Sequence, residues 1–529
     1  MAFEPTTPPR RQPPRRPRST GGEQRTGLPA RTSGRRPAPD ARRRSSASGR
    51  QSGRKTEGSG YQPRYASRTR RRKNPRQPLL LAVLALVVLG ILSLPFLLKG
   101  GDKEAAAPQV PETAPAPTRP ELPHEVSSAK LTVTGDLLPH KIIYAKGSVV
   151  YQDEQDYDFD PVFKYLHGYT DQADYAVANL ETSLFGPEKP YAGNPRLNTP
   201  DQIVDGAKNA GFDMLLTANN HCNDTDLPGV LRTVKVVREK GLTALGTNLT
   251  DEEPKYHIED INGIKIGMLC YTYEDSQDPK VVTFNYHPLP KESSGLVCSF
   301  PKFTEAKSRE PFYQGLEAQI TEMREKGAEA IVLFLHWGEE YHLEPSQDQR
   351  EMAQRLCNLG VDLVIGGHPH VVQPVELITS TRDPEHKMVC LYSLGNAVSN
   401  QRREAMKSQK SGHTEDGMLF NATFRKYSDG SVHLAQVDVI PTGVYKHGEE
   451  KKNLEYNILP LEDSTRDQWQ QRYALDLDGL QKTAESYNRT MSLVGPGLTR
   501  SNQWLMTKLP DYYVPETEPA GELTQPKGE

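Results

Sequence analysis

Residues 79–98 read LLLAVLALVVLGILSLPFLL, twenty positions without a charge or a carboxamide, and no other segment constrains the architecture of this chain so tightly. At 1.5 Å per residue, about twenty apolar residues cross the roughly 30 Å hydrocarbon core of a bilayer. A buried core helix of this length rarely goes without one polar side chain. A cleaved signal peptide has a shorter apolar run and does not follow a long basic tail. The small residues at 105–107 make only a weak cleavage pattern. The run therefore reads as a retained signal anchor, a single transmembrane helix.

The flanks orient it. Arg70, Arg71, Arg72, Lys73 and Arg76 precede the run, whereas Lys99, Asp102, Lys103 and Glu104 follow it. The excess of cations before the run places the N-terminus in the cytoplasm and the remainder outside the cell. Residues 1–78 contain 22 Lys and Arg against four Asp and Glu, a net +18; with −3 for the whole chain, the rest carries −21. An arm of Arg, Pro, Ser and Gly has too little apolar surface to offset the entropy of ordering, so it reads as disordered. It lacks interleaved aromatics or a folded reader of bases, which excludes nucleic acid as its partner and leaves the anionic membrane surface.

Beyond the run, residues 99–128 form a Pro-, Ala- and Glu-rich linker. Residues 129–442 are expected to form the folded domain, 443–508 a partly helical C-terminal extension, and 509–529 a disordered tail. Five cysteines (Cys222, Cys270, Cys298, Cys357 and Cys390), an odd number without CxxC spacing, exclude a disulfide framework. Short aliphatic runs at 131–134, 175–178, 214–217, 331–335 and 363–365 predict buried strands. Helical patterns at 227–240, 315–326 and 345–359 lie between several of them. Residues 256–273, with Asn262 and Gly263 as a turn, predict a hairpin, and 387–392 a further hairpin strand. Alternation returns after Asp416, and 464–492 is compatible with a helix. The sum is an α/β layered body with mixed sheets.

The polar residues concentrate at the ends of those strands, the edge where open α/β sheets bind ligands. Asp136 follows the first strand and a glycine. Asn179 and Glu181 follow the second; Asn219, Asn220, His221 and Asp224 the third. His336 ends the fourth, and His368 and His370 follow the fifth after Gly366 and Gly367. Asn396 closes YSLGN. The glycines are expected to supply a tight turn, and the two-residue spacing puts both rings on one side of an extended segment. Carboxylates, a carboxamide and imidazoles form a mixed oxygen and nitrogen set suited to Mn, Zn or Fe, and two such ions suit ester hydrolysis.

The ordered set GD, NLE, NNH, HWGEEY, GGHPH and YSLGN resembles the CapA family of capsule and poly-γ-glutamate synthesis proteins, over residues 130–442, about three-fifths of the chain. That family is similar in fold to the calcineurin-like metallophosphatases. The resemblance implies a layered sandwich with two central mixed sheets flanked by helices, here preceded by the disordered arm and one transmembrane helix. It implies Asp136, Glu181, Asn220, His336, His368 and His370 as ligands of one or two divalent ions, with His221 as the catalytic acid or phosphate contact. Asn179, Asp224 and Asn396 fall to supporting or substrate-facing places. One position departs from the pattern: where the phosphatases have a histidine two residues after the first aspartate, this chain has Leu138, and His140 could replace it only if the loop bends back. Trp337 is expected to pack behind His336, and Cys222 to be a small packed residue. Glu339 and Glu340 are either carboxylates orienting an imidazole or solvated surface residues.

Two functions remain open. One is a metal-dependent, phosphoesterase-like hydrolase at the outer cell surface, acting on a phosphoester or on an amide or ester of an anionic polymer. The other is a non-catalytic component that binds an anionic cell-surface polymer such as poly-γ-glutamate, or assists capsule synthase subunits in its export.

Overall fold

The computed structural model describes residues 122–278, 280–302 and 309–511. The arm, the apolar run, most of the linker and the tail from residue 512 onward lie outside the described residues, and with them the expectations made for those segments. Among the described residues no helix is long and apolar enough to cross a membrane.

The chain builds one half-sheet first. Strands β1 (Glu125–Leu137) and β2 (Tyr175–Leu180), helix α1 (Gln202–Asn209), β3 (Met214–Leu216), α2 (Asp226–Glu239) and β4 (Thr243–Leu245) follow in order. The four strands pair in parallel as β1-β2-β3-β4. A hairpin of β5 (Tyr256–Ile261) and β6 (Ile264–Glu274) starts the second sheet. Its two-residue turn has both Asn262 and Gly263 at positive φ (56° and 82°), matching the twist of the flanking strands. Then come β7 (Ser299–Pro301), α3 (Glu310–Glu325), β8 (Ala330–His336), α4 (Gln347–Asn358), β9 (Leu363–Gly367), β10 (Val375–Thr379) and β11 (Lys387–Leu391). They complete the order β7-β6-β8-β9-β11-β10, with β5 beside β6. The segment expected as a hairpin strand is β11, antiparallel to β10 on one side and parallel to β9 on the other. The chain then returns to the first sheet. Strand β12 (Asn396–Val398) pairs with β1, and β13 (Asp416–Tyr427), β14 (Val432–His447) and β15 (Glu455–Pro460) extend that sheet antiparallel on its far side. A long helix, α5 (Leu477–Met506), ends the described fold.

Side-chain alternation explains the layering. In β2, Tyr175 and Val177 face the second sheet while Ala176, Ala178 and Leu180 face α1 and α2. In β8, Ala330, Val332 and Phe334 face the first sheet, and Ile331, Leu333 and Leu335 pack under α3 and α4. The apolar stripe of α3 (Tyr313, Leu316, Ile320, Met323) has helical spacing and covers that outer face. The result is helices, sheet, sheet, helices: the expected layered α/β sandwich with two mixed central sheets.

The boundary expected at residue 442 falls inside β14, which continues to His447, and β15 adds an edge to the same sheet. Nor is α5 peripheral. It runs on through Pro496 past the point where sequence suggested an end, and Val494, Leu498 and Leu505 enter the layer between the sheets. Gly497 permits that approach, since a Cβ there would lie 1.9 Å from the carbonyl oxygen of Val375. Arg489 on α5 donates from Nε and Nη2 to the carboxylate of Asp416 at 2.7 and 2.6 Å, with Asp416 1% exposed. Arg489→Met strands a buried charge and should cost about 3–5 kcal/mol, read as a lower urea midpoint followed by tryptophan fluorescence. A loss under about 1 kcal/mol would leave α5 a mere attachment.

Candidate metal centre

The six expected ligands arise from five loops, and one backbone irregularity decides whether they meet. In β1, Leu131 and Val133 face the second sheet, so simple alternation would turn residue 136 toward the helices. The register of β1 against β2 shifts between Thr134 and Asp136, a bulge that turns Asp136 inward and sends Leu137 to the helix side. Gly135 occupies the bulge because a Cβ there would lie 2.0 Å from the carbonyl oxygen of Gly395. Alternation then carries Asn179, Glu181 and His336 inward without further irregularity.

The glycines before His368 do something other than expected. Neither Gly366 nor Gly367 is left-handed; His368 and His370 are, at φ 96° and 56°. Such backbone costs about 1–3 kcal/mol per residue and persists where the surroundings impose it. The glycines give room instead: a Cβ on Gly367 would lie 2.9 Å from Asp136 Oδ1, and one on Gly366 2.0 Å from the carbonyl oxygen of Tyr392. The segment is thus a turn, not an extended strand, and its rings still converge, their centroids 5.9 Å apart.

All six expected ligands meet. Ligand atoms of Asp136, Glu181 and His370 lie within 4.8 Å of one another, as do those of Glu181, His336 and His368. Glu181 joins the two triads. Its Oε1 is 3.4 Å from His336 Nε2 and 3.7 Å from His370 Nε2. The sixth member, Asn220, places Oδ1 2.8 Å from His336 Nε2. A ring nitrogen and a carboxamide oxygen aimed at one place are either donor and acceptor or two ligands of one cation.

Surrounding amides fix the rings. Asn396 Nδ2 donates to Gln401 Oε1 (3.0 Å) and to the carbonyl of Thr414 (2.9 Å), so its Oδ1 must face His370 Nδ1, 3.1 Å away. His370 therefore carries a proton on Nδ1 and turns Nε2 toward Glu181. Asn179 Nδ2 donates to Asp136 Oδ1 (2.7 Å). Tyr273 lies parallel to the His336 ring at 6.4 Å and edge-on to His368 at 4.8 Å.

The electrostatics call for a cation. Glu181 is wholly buried and neither carboxylate oxygen has a hydrogen-bond partner; His368 Nδ1, 2% exposed, has none either. Buried polar atoms are nearly always satisfied, and an unsatisfied carboxylate is among the costliest exceptions. Burial, then the charge of Asp136, hold Glu181 well above the ordinary carboxyl range. Burial depresses His336 to about 3 and His368 well below the usual imidazole value. Burial would raise Asp136 too, but the hydrogen bond and charge of His370 bring it below its ordinary value, and Asp136 in turn lifts His370. One ion pair is the only charge that this cluster carries comfortably by itself. Two carboxylates, three imidazoles and one carboxamide oxygen fit Mn, Zn or Fe, whose charge would reverse the penalty on Glu181.

His221 stands beside the triads, held by its neighbour. Its Nδ1 is 2.7 Å from Asp224 Oδ2, and both side chains are nearly buried. Asp224 also accepts from the backbone of Leu197 (2.6 Å) and joins no candidate ion group among the described residues. Sequence reasoning missed Asn285, on a short ribbon between β6 and β7. Its Oδ1 accepts from Asn220 Nδ2 (2.9 Å) and its Nδ2 donates to Asp224 Oδ1 (3.3 Å), linking ligand and acid. A lone Asn in TFNYHP gives no periodic signal. His140 does not take the place left by Leu138: its Nδ1 accepts from the backbone N–H of Asn400 (3.2 Å), and it joins no candidate ion group among the described residues. Trp337 packs behind His336 as expected, donating to the carbonyl of Tyr392 (2.9 Å). Cys222 is a buried core residue whose thiol burial pushes far up.

Residues 130–401 match the family model described as bacterial capsule synthesis protein PGA_cap. Among curated proteins, the PGA biosynthesis protein CapA of Bacillus subtilis (strain 168) is 26% identical over 303 residues, 56% of this chain and 70% of that protein. The capsule biosynthesis protein CapA of Bacillus anthracis is 26% identical over 283 residues, 51% of this chain and 60% of that one, so this chain spans less than two thirds of its length. A solved structure of the sulfate thiohydrolase SoxB of Thermus thermophilus, in complex with glycerol, aligns over 66% of this chain and 61% of that one. Its 14% identity and TM-score of 0.32 are too slight to say anything of the reaction here.

Proposed function

The chain belongs to the bacterial capsule synthesis protein PGA_cap family, and from that premise we propose that it is a membrane-anchored, extracytoplasmic, metal-dependent hydrolase in the making or export of a cell-surface polymer such as poly-γ-glutamate. The observation that carries the reading is Glu181, buried with both carboxylate oxygens unpartnered among three imidazoles.

Asp136, Glu181 and His370 would hold one divalent ion, and Glu181, Asn220, His336 and His368 a second. When bound, such ions supply Lewis acidity toward the oxygens of an ester or amide. The remaining chemistry belongs to the chain. The Nδ1–H of His221 is committed to Asp224, so its Nε2 is the atom that can pass a proton to a leaving oxygen. Asn285 keeps the Asn220 amide turned so that its oxygen faces the cluster. Tyr273 and the inner core below wall the floor of the site against water.

The anchor is the uncharged run at 79–98. Cations before it support a cytoplasmic arm against the membrane, and an acidic body outside. Recovery of the full chain in the soluble fraction of broken cells would remove that part of the proposal. For the chemistry, the full chain loaded with Mn2+ or Zn2+ is expected to hydrolyse a generic aryl phosphate. Leu138, 2% exposed and apolar, favours a second reading, since the first ion position then lacks one protein ligand. Under it the protein is a non-catalytic polymer-binding or assembly component, working with capsule synthase subunits. Stoichiometric ion binding without turnover of ester or amide would decide for that second reading.

A further inference from the structure

The loop after β8 carries two adjacent glutamates with different fates. Glu339 reaches Lys302, 3.5 Å away. Glu340 turns toward the metal centre, where its carboxylate lies within 4.8 Å of ligand atoms of His368 and His370, forming a third group of ion-ligating side chains. That turn is built into the backbone. Gly338 and Tyr341 are both left-handed (φ 88° and 64°), and the Tyr341 N–H donates to the carbonyl of Pro369 at 2.8 Å, between the two histidines. The loop after β8 is thereby fastened to the loop after β9, with Glu340 over the junction. The charge of Glu340 is felt at Glu181, His370 and Tyr273, as expected of a carboxylate at the mouth of the same cluster.

Two further observations show what that carboxylate could satisfy. His368 Nδ1 is buried without a partner. Two residues after Asp136, where the resemblance to the metallophosphatases implies a further ligand beside Asp136, Glu181 and His370, this chain has the buried apolar Leu138. Resting on the metal centre proposed above, we infer that Glu340 is a ligand: it closes the centre on its solvent side and supplies the donor that Leu138 cannot, allowing the centre to hold two ions. Because Glu340 is exposed while the other ligands are buried, this is also the position open to exchange with solvent or with an anionic substrate group.

Ion content tests this without reference to activity. The full chain, stripped of metal and titrated with Mn2+, is expected to bind two ions. Glu340→Gln should bind one with unchanged affinity and the other at least about 10-fold more weakly, whereas Glu339→Gln should match the parent. Circular dichroism of both variants checks that the fold is intact. Equal stoichiometry and affinity for Glu340→Gln and the parent, at one ion or at two, overturns the role of Glu340 and leaves the centre standing. If the parent binds no ion, the metal centre fails and the ligand role falls with it.

Discussion

Glu181→Gln is expected to abolish the binding of Mn2+ or Zn2+ and to leave the metal-free chain more stable than its metal-free parent. Without an ion, Glu181 is an entirely buried carboxyl group with neither oxygen hydrogen-bonded, and the fold carries that penalty. The metal-free parent must either bury that charge or hold the carboxyl protonated above its ordinary range; a neutral amide of the same shape avoids both costs, so the variant should gain about 1–3 kcal/mol in the absence of metal. With an ion at a thousandfold excess over its dissociation constant, the parent gains about 4 kcal/mol. Spread over the unfolding entropy of a body this large, that is a rise in melting temperature on the order of 5 °C. The variant, having lost the side chain common to both triads, should show no rise. Thermal melts of parent and variant with excess EDTA and with Mn2+ supply all four numbers. An equal rise on adding metal to both would mean that Glu181 is not a ligand.

His221→Ala separates catalysis from ion binding. His221 belongs to neither triad, and its ring is oriented by Asp224 at 2.7 Å. Removing it should lower kcat for an aryl phosphate by about 10²- to 10⁴-fold, the usual worth of a positioned proton donor, and leave the Mn2+ stoichiometry unchanged. KM should move little, because the ions and not the imidazole would bind the ester. A variant with parental kcat would remove His221 from the chemistry. A variant that also loses its metal would show that His221 supports the ligand loop instead.

The candidate ligands are legible because they stand at strand ends, and buried strands announce themselves as short aliphatic runs. Once 331–335 reads as a strand, His336 at its end needs no further argument. What the sequence hid depends on backbone events without a compositional mark. Asp136 faces the cluster only because of the bulge at Gly135; by strict alternation it would point at the helices. The turn at 366–370 looked like the work of its glycines, yet the unusual dihedrals belong to the histidines. Asn285 comes from a loop, where no period exists to read, and for the same reason the sequence leaves Glu340 open between an orienting carboxylate and a solvated residue. The C-terminal extension, 443–508, hides its role for a different reason. Gly495, Pro496 and Gly497 signal a helix end, whereas here the glycine lets α5 lie close on Val375 and the helix continues to Met506. Local propensity yielded to packing, as it commonly does.

All five cysteines are unpaired and buried, and their distribution follows the layers. Cys222 and Cys270 sit between the two sheets, while Cys298, Cys357 and Cys390 sit beneath α3 and α4. A thiol-alkylating reagent therefore finds nothing to modify until part of the molecule opens, and the position modified records which part that was. Timed labelling followed by peptide mapping would turn these residues into native reporters of breathing, distinguishing parting of the sheets from lifting of the outer helices. Five buried thiols with no crosslink among them leave the fold, in effect, with its own clock for local unfolding.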